Sequence, residues 1–556
     1  MNETTHLPVR IIPLGGLGEI GCNMMVLEIG EDIFLIDSGL MFPEEYMLGI
    51  DFVIPDFSYV KERKERIRAI LLTHGHEDHI GAIPFLLQEV NIPIYGTAFT
   101  LALIERKLQE YELKNPARFR KIKPGDVLKI GNAKFEFIRV NHSITEGVGI
   151  AIETPAGVII HTGDFKIDQT PLGDKMIDLN RFAEYGDKGV LLLMSDSTNA
   201  DYVGFSLSEL TVKKRLEKIL SDSQGRVIIT VFASNIRRMQ GILESCHKLG
   251  RKVALIGRSI VDNIESASSL GILQVPDNLI IDTREINTYE ASKITMITTG
   301  SQGEPYSALS LMATNAHRYV QVQPGDTVIF SSRFIPGNER AITRIINQLY
   351  RKGAEVVYEQ VRNVHTSGHA YQEELKMMLN LVKPAYFMPI HGEVRLLAKH
   401  INLAKSIGMQ ENSLILAEDG DIIKVTPERV EKEGRAPVGK IFIDGKGVGD
   451  VGTLVLRDRK HLSEDGLVVI LSVLDGKNGE MVSEPNLISR GFIFEDFHRE
   501  MLQEARNLVK KTILDANSDR RKDPGEIQGE ISKKLKRFFN SRLKRRPMIL
   551  PIVLEM

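Results

Sequence analysis

Leu71-Leu72-Thr73-His74-Gly75-His76-Glu77-Asp78-His79-Ile80-Gly81 decides the reading of this 556-residue chain. The apolar run Ile70-Leu71-Leu72 predicts a buried strand ending at Thr73. Three histidines and an aspartate follow within six residues, and a helix is expected over 80–90. His74 and His76 lie two apart, on one side of an extended segment, while Asp78 and His79 point elsewhere. Such a loop aims several imidazoles and a carboxylate at one place, with room for two metal ions side by side. The alternative is a solvated polar loop that binds nothing. Four ligand-type residues directly after a buried strand are costly without a cation, and imidazole with carboxylate suits zinc.

The H-x-H-x-D-H spacing resembles the metallo-β-lactamase fold, which implies a dinuclear zinc hydrolase. That fold alone leaves lactonases, thioesterases, glyoxalases and nucleases open. Length suggests three or so domains. Apolar content of 42% and charged content of 26% are those of an ordinary globular protein. Cys22 and Cys246, the only two cysteines, provide no disulfide framework and fit a reducing cytoplasm. Met1 to Pro8 lacks the apolar core of a signal peptide, and no apolar run reaches membrane-spanning length. A secreted antibiotic-degrading enzyme is therefore not expected. A net charge of −2 does not by itself declare a nucleic-acid binder.

Residues 9–60 alternate apolar strands with turns. The cluster Gly15-Gly16-Leu17-Gly18 is followed by another strand rather than a helix, so it reads as a tight turn near the metal loop, not a phosphate cradle. Asp37 either orients a metal-binding histidine or merely serves its turn. A strand over 92–95, a helix over 97–112 and strands over 127–140 and 148–160 follow. His142 and Asp164 each sit just past an apolar strand, and His161 reads as buried or as a neighbour of the ligands. From Val190 to Tyr358, strand and helix alternate as in a doubly wound parallel sheet. Its loops offer Asp196-Ser197-Thr198-Asn199, Phe232-Ala233-Ser234-Asn235 and Gly300-Ser301-Gln302-Gly303-Glu304. Ligand-type residues then return in His365-Thr366-Ser367-Gly368-His369 and His391-Gly392-Glu393, so the α/β part reads as an insertion.

A metallo-β-lactamase domain so interrupted, with a late H-x-S-G-H and H-G-E, resembles the β-CASP nucleases. The Thr-Thr-Gly-Ser-Gln-Gly-Glu stretch from Thr298 and the short C-terminal domain resemble the ribonuclease J family, across essentially the whole chain. The expected fold is an α/β metallo-β-lactamase αββα sandwich (1–205, resumed over 359–438), with a β-CASP insertion (206–358), a linker (439–460) and a C-terminal α+β domain (461–556).

The resemblance implies that His74, His76, His142 and Asp164 hold one zinc and that Asp78, His79, Asp164 and His391 hold the other, Asp164 bridging. It places β-CASP motifs on Asp196, His369 and His391, and RNA contacts on Ala233, Ser234, Asn235 and His365 to His369, including Thr366, Ser367 and Gly368. Ser234-Asn235 and Ser367-Gly368-His369 are each expected to open a helix whose N–H groups face phosphate, unless they are ordinary caps. A structural calcium near Gly49, Asp51 and Asp444 is implied as well, with a plain turn or salt bridge as the alternative. Two zincs about 3.5–4 Å apart would activate water in line with a phosphodiester. Asp78 would orient that water and His369 would serve the leaving 3′ oxygen. The implied activity is 5′-to-3′ exonuclease action on single-stranded RNA with a 5′-monophosphate, with internal cleavage open, in RNA decay and in rRNA and mRNA maturation.

The C-terminal part predicts a strand over 467–474, an amphipathic helix over 495–516 with Phe497, Met501, Leu508 and Ile513 on one face, a basic helix over 526–545 and a last strand from Met548. Lys533, Lys534, Lys536, Arg537, Arg542, Lys544, Arg545 and Arg546 either bind RNA backbone or form a solvated or oligomer-facing surface. A homodimer or homotetramer, or a complex with a paralogous subunit or other RNA-decay proteins, is expected, without membrane attachment. The rivals are a small-molecule metallohydrolase, a weak RNA-binding paralogue, which should have lost metal ligands, and a nuclease acting on DNA.

Overall fold

Strands whose side chains are buried on both faces set the architecture. Met24–Ile29 and Asp32–Ile36 are buried at every position, as their largely apolar runs demand, with Glu28 and Asp32 the charged exceptions. The computed structural model describes residues 9–113, 117–173, 175–335, 337–359, 363–445, 447–476, 480–516 and 523–556. The chain divides into two units: Met1–Phe42 with Phe52–Ile441, and Pro43–Asp51 with Phe442–Met556.

In the first unit an eight-stranded and a six-stranded sheet share one core. Phe34 of the larger sheet meets Phe135 of the smaller at 4.8 Å between ring centres. Helices Leu179–Lys188, Gln372–Val382 and Val394–Ser406 supply Phe182, Leu375 and Leu403 to the outer face of the six-stranded sheet. Within that sheet Leu192–Asp196 and Tyr386–Ile390 run parallel, with Asp196 opposite Ile390. The chain thus leaves the sandwich at one strand end and re-enters on the neighbouring strand. That register sets His391 beside Asp196.

Between these strands lies a six-stranded sheet of parallel strands, in the order Ile280–Ile281, Lys252–Ile256, Ile294–Thr298, Val227–Thr230, Thr327–Phe330, Glu355–Val357. Helices Glu209–Asp222, Ile236–Lys248 and Arg258–Ser269 cover one face, and Ala308–Ala313 and Glu339–Arg351 cover the other. This is the doubly wound insertion.

In the second unit, Leu467–Leu474 lies between Asn486–Arg490 and Met548–Glu555. Helices Arg499–Leu514 and Pro524–Leu543 pack Val509 and Leu535 against Val468 and Ile470.

Four expectations are corrected. The helix over 80–90 is two, Glu77–Ile80 and Ile83–Glu89, because Pro84 fits only a helix's first turn and Gly81 packs against Leu40. The strand read from Val190 as the start of the α/β alternation belongs to the sandwich, within the expected 1–205, where it pairs with Gly157–His161 and Tyr386–Ile390. The linker over 439–460 is structured: strands Lys440–Asp444 and Gly447–Val448 pair, and helix Thr453–Asp465 follows. Phe497 is outside the amphipathic helix and 83% exposed, and the buried stripe is Leu502, Ala505, Val509 and Ile513.

Candidate metal centre

The strand Ile67–Leu71 delivers the histidine loop, and a buried aspartate sets its course. Asp37, at φ 61°, accepts from the Thr73 N–H and hydroxyl at 2.8 Å each. Its Oδ2 also lies 2.7 Å from His79 Nδ1, which leaves His79 Nε2 for the centre. Asp37 therefore orients the histidine as well as its turn. The short helix Glu77–Ile80 then turns Asp78 and His79 inward.

Asp164, three residues past the strand Gly157–His161, stands in the middle. Its Oδ2 is 3.6 Å from His74 Nε2, 3.7 Å from His142 Nε2 and 3.3 Å from His79 Nε2, and its Oδ1 is 3.0 Å from His391 Nδ1. His76 Nδ1 lies 3.0 Å from both His74 Nε2 and His142 Nε2. Asp78 Oδ2 lies 3.6 Å from His79 Nε2 and 3.3 Å from His391 Nε2. Two ligand groups result, His74, His76, His142 and Asp164, and Asp78, His79, Asp164 and His391, sharing Asp164. Four ligands about 2.0–2.1 Å from a tetrahedral zinc lie about 3.3 Å from one another, so the observed spacings fit such an ion. His391 Nε2 is buried without a hydrogen bond among the described residues, an orphaned atom that a cation would satisfy.

A third group, Asp164, Asp196, His369 and His391, adjoins these two. Asp196 Oδ2 holds His369 Nδ1 at 2.8 Å, and its Oδ1 lies 3.5 Å from His391 Nδ1. Thr198 Oγ1, from the loop singled out after Asp196, lies 3.1 Å from the same His391 nitrogen, whereas Asn23 Nδ2, which donates to the Asp78 carbonyl at 3.1 Å, had no spacing signal to reveal it. Both act across the fold. His161 is buried, and its Nδ1 accepts from the Gly163 N–H at 3.0 Å.

The loop 365–369 closes over the first group. Gly368 O lies 2.7 Å from His142 Nδ1, and a Cβ at Gly368 would come within 2.6 Å of that ring, so only glycine fits. Ser367 Oγ accepts from Asn199 Nδ2 at 2.7 Å and from the His369 N–H at 3.2 Å. The expectation that Ser367-Gly368-His369 opens a helix is corrected. The helix begins at Gln372, with Tyr371 as its cap, because Ser367 and His369 are turned onto Asn199 and Asp196. Ser234-Asn235 does open a helix, Ile236–Lys248, with Asn235 as its cap accepting from the Arg238 N–H, and Ala233 O accepts from Asn263. Thr366 Oγ1 donates to Leu207 O at 2.6 Å, and His365 Nδ1 meets Arg238 Nη1 at 2.8 Å, which ties both loops together. In the second unit Asp51 Oδ2 accepts from the Gly445 N–H at 2.7 Å, and Asp444 pairs with Arg459, which also lies against Gly49. A salt bridge thus supplies the positive charge there.

Burial keeps His74 and His142 neutral far below the ordinary imidazole range and brings His76 down to about 4. Burial also opposes charge on His79 and His391, but Asp164 and its neighbouring carboxylates overcome it and hold both rings protonated well above that range. A cation in the second group must therefore displace protons that the first group does not hold near neutral pH. Were each group to hold an ion, the second would release its ion first as pH falls, while the neutral rings of the first retain theirs. Metal per chain after dialysis from pH 8 to pH 5 checks this, and loss of both ions together would refute it.

Family models match along the chain: Metallo-beta-lactamase superfamily over residues 17–202, Ribonuclease J, beta-CASP domain over 224–349, Zn-dependent metallo-hydrolase RNA specificity domain over 353–415, and Ribonuclease J C-terminal domain over 454–556. Ribonuclease J2 of Bacillus subtilis is 42% identical over 98% of each chain. Ribonuclease J 1 of Streptococcus pyogenes is 43% identical over 98% of this chain and 97% of its own. Ribonuclease J of Thermus thermophilus is 42% identical over 98% and 95%.

Proposed function

This chain belongs to the ribonuclease J family of metal-dependent ribonucleases, and on that premise we propose that it is a two-zinc 5′-to-3′ exonuclease of single-stranded RNA. The reading prefers 5′-monophosphate ends, leaves internal cleavage open to the same centre, and places the enzyme in RNA decay and in rRNA and mRNA maturation. The observation that carries it is the pair of four-ligand groups sharing Asp164 beneath the loop 365–369. Zinc suits their mixture of imidazole and carboxylate, and when bound such a pair activates water at neutral pH and offsets charge on phosphorus.

The chain's own residues do the rest. Asp78, 29% exposed at its side chain, is the ligand-type carboxylate open to the cleft and orients the attacking water. With Nδ1 committed to Asp196, the other nitrogen of His369 serves the leaving 3′ oxygen. The product carries a 5′-phosphate. The Asn199-held Ser367 hydroxyl and the loop from Ala233 to Asn235 are assigned to the phosphates of the entering strand. A calcium ion at Gly49, Asp51 and Asp444 would have to displace the Arg459 guanidinium, so we favour the salt bridge.

Ile488, Val469 and Leu550 stand side by side on the sheet of the second unit, and Leu554 lies on the same face. Ile488, Leu550 and Leu554 are exposed, which supports a homo-oligomer. Among the described residues no helix is long and apolar enough to cross a membrane. Free, buried Cys22 and Cys246 support a cytoplasmic setting.

The test is one RNA carrying a 5′-monophosphate, a 5′-triphosphate or a 5′-hydroxyl, digested by wild type, His76→Ala and Ser367→Ala. Mononucleotides should accumulate from the monophosphate end, and His76→Ala should abolish them. Ser367→Ala should weaken the end preference by about 10- to 100-fold, the value of a hydrogen bond to a charged group. Intact RNA in the presence of metal-loaded wild type would overturn the reading.

A further inference from the structure

The loop that begins at Asp196 also connects, through Asn199, to side chains that the hydrolytic reading leaves unused. Asn199 Nδ2 reaches Ser367 Oγ at 2.7 Å and the His369 carbonyl at 3.2 Å, and its Oδ1 accepts from Arg333 Nη1 at 2.8 Å. Three residues on, the Tyr202 ring lies beneath the Arg333 guanidinium, whose central carbon is 4.3 Å from the ring centre. The Tyr202 hydroxyl oxygen accepts from Arg333 Nη2. Tyr371, two residues past His369, sets its ring 5.1 Å from that of Tyr202 and 33° from parallel. Tyr202 is 38% exposed, and Tyr371 and Arg333 are half-buried. Among the described residues no carboxylate lies within ion-pair distance of Arg333, although the Arg333 charge favours ionisation of the nearby Glu359.

The Thr-Thr-Gly-Ser-Gln-Gly-Glu stretch gains a purpose here. Gln302 donates to the Arg333 carbonyl and accepts from the Ile335 N–H, both at 2.8 Å, and thereby fixes the loop bearing Arg333. Two aromatic rings and a planar cation are thus held on both sides of the junction between sandwich and insertion. Hydrogen bonds through Asn199 link them to Ser367 and His369.

We propose that Tyr202, Arg333 and Tyr371 form a stacking shelf for one base of the single-stranded RNA entering the metal centre, an inference that rests on the ribonuclease reading above. Aromatic and guanidinium planes stack on any base, because every base presents a π-face, so the shelf grips the strand without choosing its sequence. A guanidinium held in no direct ion pair also suits a polyanion, and its plane offers what a lysine ammonium cannot. The competing account is structural: the trio only props Asn199 and the loop 365–369.

The two differ in an experiment on 5′-monophosphorylated RNA with a single abasic nucleotide at each of the first four positions in turn. At one position the missing base should lower wild-type kcat/KM by about 5- to 150-fold, the usual worth of one stacked base. Tyr202→Ala should lose a similar factor on unmodified RNA and show no further penalty at that position, while Tyr202→Phe keeps it. Arg333→Lys, which preserves charge but not the plane, should reduce the penalty. If Tyr202→Ala slows every oligomer equally and the abasic penalty survives, the shelf is overturned in favour of the prop. If wild type treats all four abasic oligomers alike, the shelf is overturned while the ribonuclease stands. If wild type cleaves none of the RNAs, the ribonuclease reading itself falls.

Discussion

Replacing Asp164 by alanine is expected to abolish RNA hydrolysis and to empty more of the metal centre than loss of any histidine. The carboxylate belongs to both ligand groups, with Oδ2 between His74, His142 and His79 and Oδ1 on His391. Removal of His76, by contrast, takes one of four ligands from a single group. Asp164 also opposes burial in keeping His79 and His391 protonated, so without it those rings lose the largest favourable influence on their charge. A metal pair contributes several kcal/mol of charge stabilisation, and 1.36 kcal/mol is a factor of ten, so a fall of at least about a thousandfold is expected. Asp164→Asn preserves shape but not charge, and should lie near alanine in rate. Metal analysis beside single-turnover cleavage checks this, with two ions per chain expected in wild type and one or fewer in either variant. A variant holding two ions and cleaving at the wild-type rate would sink the bridging role.

The residues of this centre differ in how visible they are along the chain. His74 to His79 stand out because polar ligands follow a buried strand at once, and His142 and Asp164 because each ends an apolar run. His391 follows the same rule, and the parallel register that sets Ile390 against Asp196 explains why so distant a residue arrives at the site. The strand ending at Asp196 was harder to place, since a run buried on both faces reads alike in the sandwich and in the insertion. Glycines between 439 and 452 imitate a linker, although their neighbours pair as strands. The start of the helix at Gln372 depends on Ser367 and His369 being bound elsewhere, a tertiary contact that no local cap pattern records. Arg238 is hidden most completely. An arginine in an amphipathic helix reads as solvated, and its partners lie 29 to 128 residues away.

That arginine carries the second large effect, on stability. Arg238 is 2% exposed, the Glu209 carboxylate takes two of its N–H groups at 3.2 and 2.6 Å, and Nη1 serves Ser331 O and His365 Nδ1 at 2.8 Å each. Burial, and then the Arg238 charge, keep His365 neutral, which makes its Nδ1 the acceptor. Glu209 is itself buried, and its N–H donates to Asp168, whose carboxylate pairs with Lys166. Arg238→Ala strands the Glu209 carboxylate among these groups, and breaking a buried pair costs about 3–5 kcal/mol. We expect a loss of that size in urea unfolding followed at the first unit. Pairing Arg238→Met with Glu209→Leu removes both charges and should recover most of the loss, since apolar replacements of buried ion pairs are commonly neutral. Activity should not recover with it. The loop 365–369 still lacks its Arg238 anchor, and the same loop sets His369 on Asp196 and the Gly368 carbonyl on His142. Displacement of about 1 Å at such groups can cost about a hundredfold, so the double variant should melt near wild type yet cleave RNA ten- to a hundredfold more slowly. Full activity in the stable double variant would show that Arg238 serves only the fold, whereas a stable single variant would show that Glu209 finds its charge partner elsewhere.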